Sequence, residues 1–272
     1  MLTDYHLHLR PDGEDTPAER FFTAENVDRY LEAAVAAGVE ELGVSEHVYR
    51  FHQALELWSH PLWESNGRDD LDAYCEFVRG TPLRLGIECD FVPGAEDRTA
   101  SMLEARDFDY VVGSVHFIGD EAVDHPGWDV WEGSGDADEV WRRYFAQVRA
   151  AAASGVFDVL AHLDLAKVFG HAASESVIAS EHLQTADAIA AAGVAVEIST
   201  AGLRKAAGEL YPAQELLRAL HRRGVPITLG SDAHVPGDIG RDYEHALAAA
   251  HACGYRTVSV FHGRERREVP LG

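Results

Sequence analysis

The sequence predicts an α/β fold in which helices cover a mainly parallel sheet. Three observations carry that prediction. Short apolar or β-branched runs alternate with longer amphipathic segments along the 272 residues. Gly38, Gly155, Gly193 and Gly224 each follow an amphipathic segment, as a left-handed helix end requires, and a new apolar run begins within a few residues. Polar residues recur at one place in the unit, at or near the carboxyl end of the run and before the next helix, which is the active-site face of a βα barrel.

The first run, LTDYHLHL, sets Asp4, His6 and His8 two residues apart, so all three share one side of a strand. VDRYLEAAVAAG reads as a helix, and ELGVSEH as a strand ending in His47. RLGIECDF carries Glu88, with Cys89 alternating away from it into the core. YVVGSVHF supplies His116 and is followed by the helical pattern DEVWRRYFAQVRAAAASG. VFDVLAHLD brings His162, and the helix LQTADAIAAAG leads into the strand AVEIST. After the helix AQELLRALHRRG comes PITLGSDAH, where Asp232 and His234 point the same way. The nine other histidines, His60, His125 and His182 among them, fall on helices or in loops, where solvent-facing roles are expected.

Composition narrows the function. No Pro/Ser-rich linker, low-complexity tract or internal repeat divides the chain, so residues 1–272 are expected to form one domain. No run approaches the roughly 18 apolar residues of a membrane helix, and the histidine cluster begins at His6 with no signal-peptide leader before it. Three cysteines, Cys75, Cys89 and Cys253, form no CxxC pair and no even set, which disfavours a disulfide framework or thiolate zinc site. A cytoplasmic protein is the expectation. A formal charge of −23 repels nucleic acid over the whole surface.

Six imidazoles and at least three carboxylates converge on one face. Desolvated without a partner, each would cost roughly 1–3 kcal/mol, a penalty that divalent cations remove. One strand-end histidine alone is an ordinary hydrogen-bonded residue; the ordered set carries the inference. Imidazole and carboxylate donors without thiolate suit Zn, Mn or Fe(II).

DYHLH, SEH, GIECD, SVHF, AHLD and SDAH resemble, in type and order, the motifs of the polymerase and histidinol phosphatase (PHP) phosphoesterases over nearly the whole chain. EISTAGLRK followed by GELYP is similar to the segment of the histidinol-phosphatase branch. The resemblance implies a distorted (β/α)7 TIM-like barrel holding two to three divalent metal ions at the carboxyl ends of its strands. His6, His8, Glu88 and Asp232 would hold the first ion; Glu88, as a bridge, with His116 and His162 the second; His47 and His234 the third. Relatives complete the third position a few residues beyond HxH, where this chain reads RPDGED, so Asp12 is favoured over Glu14 and Asp15. Asp4 is expected to orient a histidine ligand through its distal nitrogen.

The chemistry expected of that set is phosphomonoester hydrolysis. A water bridging two divalent ions drops in pKa from about 15.7 toward 7, roughly 12 kcal/mol of easier deprotonation, and becomes the nucleophile. Glu88 bridges, and Asp232, His234 or water on the third ion would protonate the leaving alkoxide. Lys167, Arg204 and Lys205 follow the fifth and sixth strands on the same face and are candidate phosphate contacts. The long aromatic connection from Val48 to Asp70 offers Trp58, His60 and Trp63 either as a pocket wall or as a packed surface loop, and HPGWDVWEGSG is a candidate for closing another side. L-histidinol phosphate is the favoured substrate, with another small phosphate ester or nucleotide second. A metal-dependent amidohydrolase is a third reading, weakened because Glu88 stands where its bridging lysine would be. A non-catalytic structural metal module is the last.

Overall fold

A computed structural model describes residues 1–13, 16–133 and 136–272. The strands are β1 (Thr3–Asp4), β2 (Glu41–Val44), β3 (Arg84–Leu85), β4 (Glu88–Asp90), β5 (Val112–Ser114), β6 (Phe117–Ile118), β7 (Glu121–Ala122), β8 (Val159–Leu160), β9 (Ala195–Ser199), β10 (Ile227–Gly230), β11 (Thr257–His262) and β12 (Glu265–Pro270). The helices are α1 (Ala18–Phe21), α2 (Ala24–Ala37), α3 (Pro61–Asn66), α4 (Leu71–Arg79), α5 (Glu96–Glu104), α6 (Ala137–Ala153), α7 (Glu175–Ala192), α8 (Gln214–His221) and α9 (Tyr243–Cys253).

β1, β2 and β3 pair in parallel, as do β4, β5, β8, β9 and β10. Both seams between the two sheets are joined. β3 and β4 are one strand interrupted at Gly86 and Ile87, and the amides of Gly86 and Glu88 donate to Val44 O (2.9 Å) and Glu46 O (3.0 Å). Across the other seam Tyr5 N donates to Leu229 O at 3.3 Å, and Leu7 pairs in parallel with Ala233. The result is a seven-stranded parallel ring, distorted because several strands keep regular pairing over only two or three residues.

The helices follow their apolar stripes. In α2, Thr23 caps the amino end by accepting from Asn26 N, while Val27, Tyr30 and Ala34 recur at helical spacing and are buried. Gly38, Gly155, Gly193 and Gly224 adopt φ near +70°, the left-handed conformation expected of them.

Tyr110 plugs the floor of the barrel, opposite the polar face. A Cβ on Gly43 would lie 2.4 Å from its hydroxyl and one on Gly86 2.2 Å from Cζ, so only bare backbone admits the ring. Tyr5 and Phe261 close around it. Phe261 belongs to the antiparallel hairpin β11–β12, which lies outside the βα pattern and seals that end. Among the described residues no helix is long and apolar enough to cross a membrane.

Candidate metal centre

The strand-end residues meet at the bottom of a cavity of about 1100 Å³. β1 and the segment after it deliver His6 and His8, the segment after β2 His47, β4 Glu88, the turn after β5 His116, the turn after β8 His162, and the segment after β10 Asp232 and His234. His162 and Asp232 hold φ at +24° and +53°. Non-glycine backbone of that kind is sustained only where the surrounding structure demands it.

Three groupings emerge. His6 Nε2 and His8 Nε2 each lie 3.4–3.6 Å from Glu88 Oε2 and Asp232 Oδ1. Ligands 2.0–2.1 Å from a tetrahedral cation stand about 3.3–3.4 Å apart, so these four atoms already approximate its edges. The other oxygen of Glu88, Oε1, lies 3.4 Å from His116 Nε2 and 3.0 Å from His162 Nε2, which makes Glu88 the bridge between two positions. In the third grouping Asp12 Oδ2 is 3.1 Å from His234 Nε2 and Asp12 Oδ1 is 3.7 Å from His47 Nε2. The nitrogens of His8, His47 and His234 also cluster, with His8 stacked between the other two rings. Glu14 and Asp15, the other candidates for the third position, lie outside the described residues.

The electrostatics call for cations. Burial alone would raise the Glu88 carboxyl, yet the imidazoles of His47, His6 and His116 hold it well below its ordinary range. Burial would likewise depress His6, but Glu197, Glu88 and Asp232 push it well above an ordinary imidazole. His8, buried and flanked by His47 and His234, is pushed down to about 3 and is therefore a neutral ligand. His6 Nε2, both His8 nitrogens, His47 Nδ1, His234 Nε2 and Glu88 Oε2 are buried with no hydrogen-bond partner among the described residues. Buried imidazole nitrogens and carboxylate oxygens turned toward one another, with no thiolate among them, fit divalent metal ions.

Several side chains differ from the expectation. Asp4 orients no imidazole: its carboxylate accepts backbone amides of Ser231 (3.0 Å), Gly240 (3.3 Å) and His6 (3.4 Å). The orienting carboxylates are Glu197, which accepts from His6 Nδ1 at 2.9 Å, and Asp90, which accepts from His116 Nδ1 at 2.7 Å. Asp90 lies two residues after Glu88, so strand alternation signals it; Glu197, the one charge in AVEIS, shows itself as a carboxylate in an apolar strand. Lys167 is buried and consumed by Asp164 (3.1 Å), Glu209 (3.1 Å) and Leu210 O (2.8 Å). Arg204 donates to Ser231 O (2.6 Å) and Thr200 O (3.4 Å) and clamps two strand ends together. Lys205 is exposed and lines the cavity. Trp58, His60 and Trp63 pack on one another, and His60 also meets Phe117 and Trp128, so this cluster is an internal buttress. Its sequence neighbours Leu62, Asn66 and Arg68 face the cavity, as does His125 from the HPGWDVWEGSG stretch, whose Ser134 and Gly135 lie outside the described residues. His60 and His182 are buried.

The PHP domain family matches residues 21–201, and the PHP-associated family residues 214–245. The chain is 36% identical over 269 residues to a probable histidinol-phosphatase of Deinococcus radiodurans, covering 96% of this chain and 97% of the relative. It is 25% identical over 273 residues to the histidinol-phosphatase of Bacillus subtilis, covering 90% and 97%. The histidinol phosphate phosphatase of Lactococcus lactis, solved with zinc, L-histidinol and phosphate, superposes with a TM-score of 0.78 at 20% identity over 98% of both chains. With that fold and a strand-end cluster of imidazoles and carboxylates around Glu88, the chain belongs to the PHP family, in the branch that holds these relatives.

Proposed function

We propose that the chain hydrolyses L-histidinol phosphate to L-histidinol and phosphate, using divalent cations held by three groups of ligands. It is a metal-dependent phosphoric monoester hydrolase. The observation that supports this most is the position of Glu88, whose two oxygens serve different sets of imidazoles at 3.0–3.6 Å. His6, His8, Glu88 and Asp232 would hold one cation, Glu88, His116 and His162 a second, and His47, His234 and Asp12 a third. Divalent cations in such a cluster make water acidic enough to attack at neutral pH and neutralise the charge of a phosphoryl group. Zinc, manganese and ferrous iron all suit this donor set.

The chain's own groups do the rest. Glu197 and Asp90 hold the Nδ1 protons of His6 and His116, which leaves each Nε2 lone pair free for a cation. Lys205 brings a flexible positive charge to the cavity wall for the phosphate. When the third position holds no cation, Asp12 pushes the buried His234 up to about 9, so that it would keep a proton, with Asp232 beside it. Residues 1–272 act as one unit.

The test is phosphate release by metal-reconstituted protein from L-histidinol phosphate, nucleoside monophosphates, an aryl phosphate and a panel of amides. Turnover led by L-histidinol phosphate is expected. Amide cleavage without phosphate release overturns the reaction class, and no turnover under any metal loading returns the chain to a structural module.

A further inference from the structure

We propose that Tyr49 is a catalytic residue whose phenol donates a hydrogen bond to a non-bridging phosphoryl oxygen of the substrate. The inference rests on the phosphomonoesterase reading and assigns to it a contact absent from the ligand set.

Tyr49 lies on the 3-10 turn Val48–Arg50, immediately after His47. Its ring stacks on the His47 imidazole, with centroids 4.8 Å and planes 19° apart. The turn is held firmly. Arg50 N donates to His47 O at 3.2 Å, and the Arg50 carbonyl accepts from Arg68 N (3.1 Å) and Asp69 N (3.0 Å). The Arg50 guanidinium is fixed between Glu46 (2.6 Å) and Asp12 (2.7 Å). A ring stacked on such a turn has little freedom to turn its hydroxyl elsewhere.

Among the described residues, that hydroxyl ties no element to another. Tyr30 donates to His8 O (2.7 Å), Tyr74 to Gly86 O (2.8 Å) and Tyr243 to Thr3 O (3.1 Å); each ties a helix to the barrel. Tyr49, by contrast, lines the cavity, is partly exposed, and its hydroxyl makes no hydrogen bond among the described residues. Cations beside it are already committed, Arg10 to Asp69 and Arg50 to Glu46 and Asp12. What remains on this wall is a fixed neutral donor against a ligand imidazole. A phenol stays protonated at neutral pH, and the strongest acceptors a phosphomonoester brings are its charged phosphoryl oxygens. A pre-oriented donor gains most as those oxygens redistribute charge in the transition state.

Tyr49→Phe isolates the hydroxyl, because it keeps the stacking on His47 and breaks no hydrogen bond among the described residues. Metal-loaded full-length wild type and variant are compared on L-histidinol phosphate and on 4-nitrophenyl phosphate, with metal content and melting temperature measured alongside. The expected result is a kcat/KM lower by about 10–100-fold on both esters, mostly through kcat, with metal content and melting temperature unchanged. Three outcomes overturn the proposal. One is a change below twofold. Another is a loss confined to the alkyl ester, which would make Tyr49 the proton donor to a poor leaving group instead. The third is a loss that tracks reduced metal content, which would place its effect on His47. Absence of phosphate release by the wild type would fail the phosphomonoesterase reading itself and the proposal with it.

Discussion

Glu197 Oε1 lies where a side chain on Gly230 would begin: a Cβ at that glycine would stand 1.7 Å from it. The bare backbone of β10 therefore lets Glu197 cross from β9 to His6 Nδ1 (2.9 Å), while its other oxygen accepts from His162 N (2.9 Å). One carboxylate thus orients one imidazole and holds the strained backbone of another. Glu197→Gln should weaken metal binding by roughly 10–100-fold with little change in melting temperature. Gly230→Ala should do the same and also cost about 1–3 kcal/mol of stability through overpacking. Metal titration with thermal melts decides; wild-type affinity in both variants would remove Glu197 from the centre.

Glu88 and Asp12 should differ in how many ions they control. Glu88 faces His6, His8 and His47 through one oxygen and His116 and His162 through the other, whereas Asp12, paired with Arg50, meets His47 and His234 among the ligand imidazoles. Elemental analysis of Glu88→Gln is expected to show two ions lost per chain and near-complete loss of turnover. Asp12→Asn should lose one ion, the other two remaining. Equal stoichiometry in the two variants contradicts the bridging role.

These cases show how much of the site was legible in the sequence. Ligand side chains at His6, His8, Glu88, His116 and His162 declare themselves, because strand alternation and a repeated place in each βα unit are local properties. The partners of those ligands are set by how strands pair and twist around the ring. Asp4 shares the alternation of His6 yet sits lower in the barrel, within reach of the amides of Ser231 and Gly240 across the closing seam. No local pattern reveals that seam. The aromatic connection was open for the same reason: Trp58, His60 and Trp63 have no period, so only the fold decides that they face Phe117 and Trp128 and not the cavity. β11–β12 escaped because an antiparallel hairpin breaks the alternation that identified everything before it.

The adjacent basic residues of the β9–β10 connection should separate cleanly. Lys205 is exposed on the cavity wall, and Arg204 is spent on the carbonyls of Ser231 and Thr200. Lys205→Ala is expected to raise KM for a phosphomonoester about tenfold, the loss of roughly 1.4 kcal/mol of binding, with an unchanged melting temperature. Arg204→Ala should lower the melting temperature by a few degrees, as loss of about 1–2 kcal/mol does in a chain of this size. Reversed phenotypes would return Arg204 to the phosphate.

His182 should give the protein an acid-sensitive step that has nothing to do with the metal centre. It is buried in α7 against Phe145, and burial, with the charge of Lys167 nearby, pushes its pKa down from 6.5 to about 4. Below pH 6.5 the unfolded chain takes a proton at this position that the folded chain refuses. Stability is therefore lost as pH falls through that interval, by up to about 3 kcal/mol once pH 4 is reached. Asp4 and Asp164, whose carboxyls burial pushes up to about 6, act in the opposite direction, so the wild-type curve alone is ambiguous. His182→Leu fills the same space without a titrating group. The difference in unfolding free energy, wild type minus variant, should fall steadily between pH 6.5 and pH 4 in denaturant titrations at fixed metal loading. A flat difference across that window would mean that the folded protein accepts the proton as readily as the unfolded chain, and that His182 reaches water through a motion the packed helix does not show.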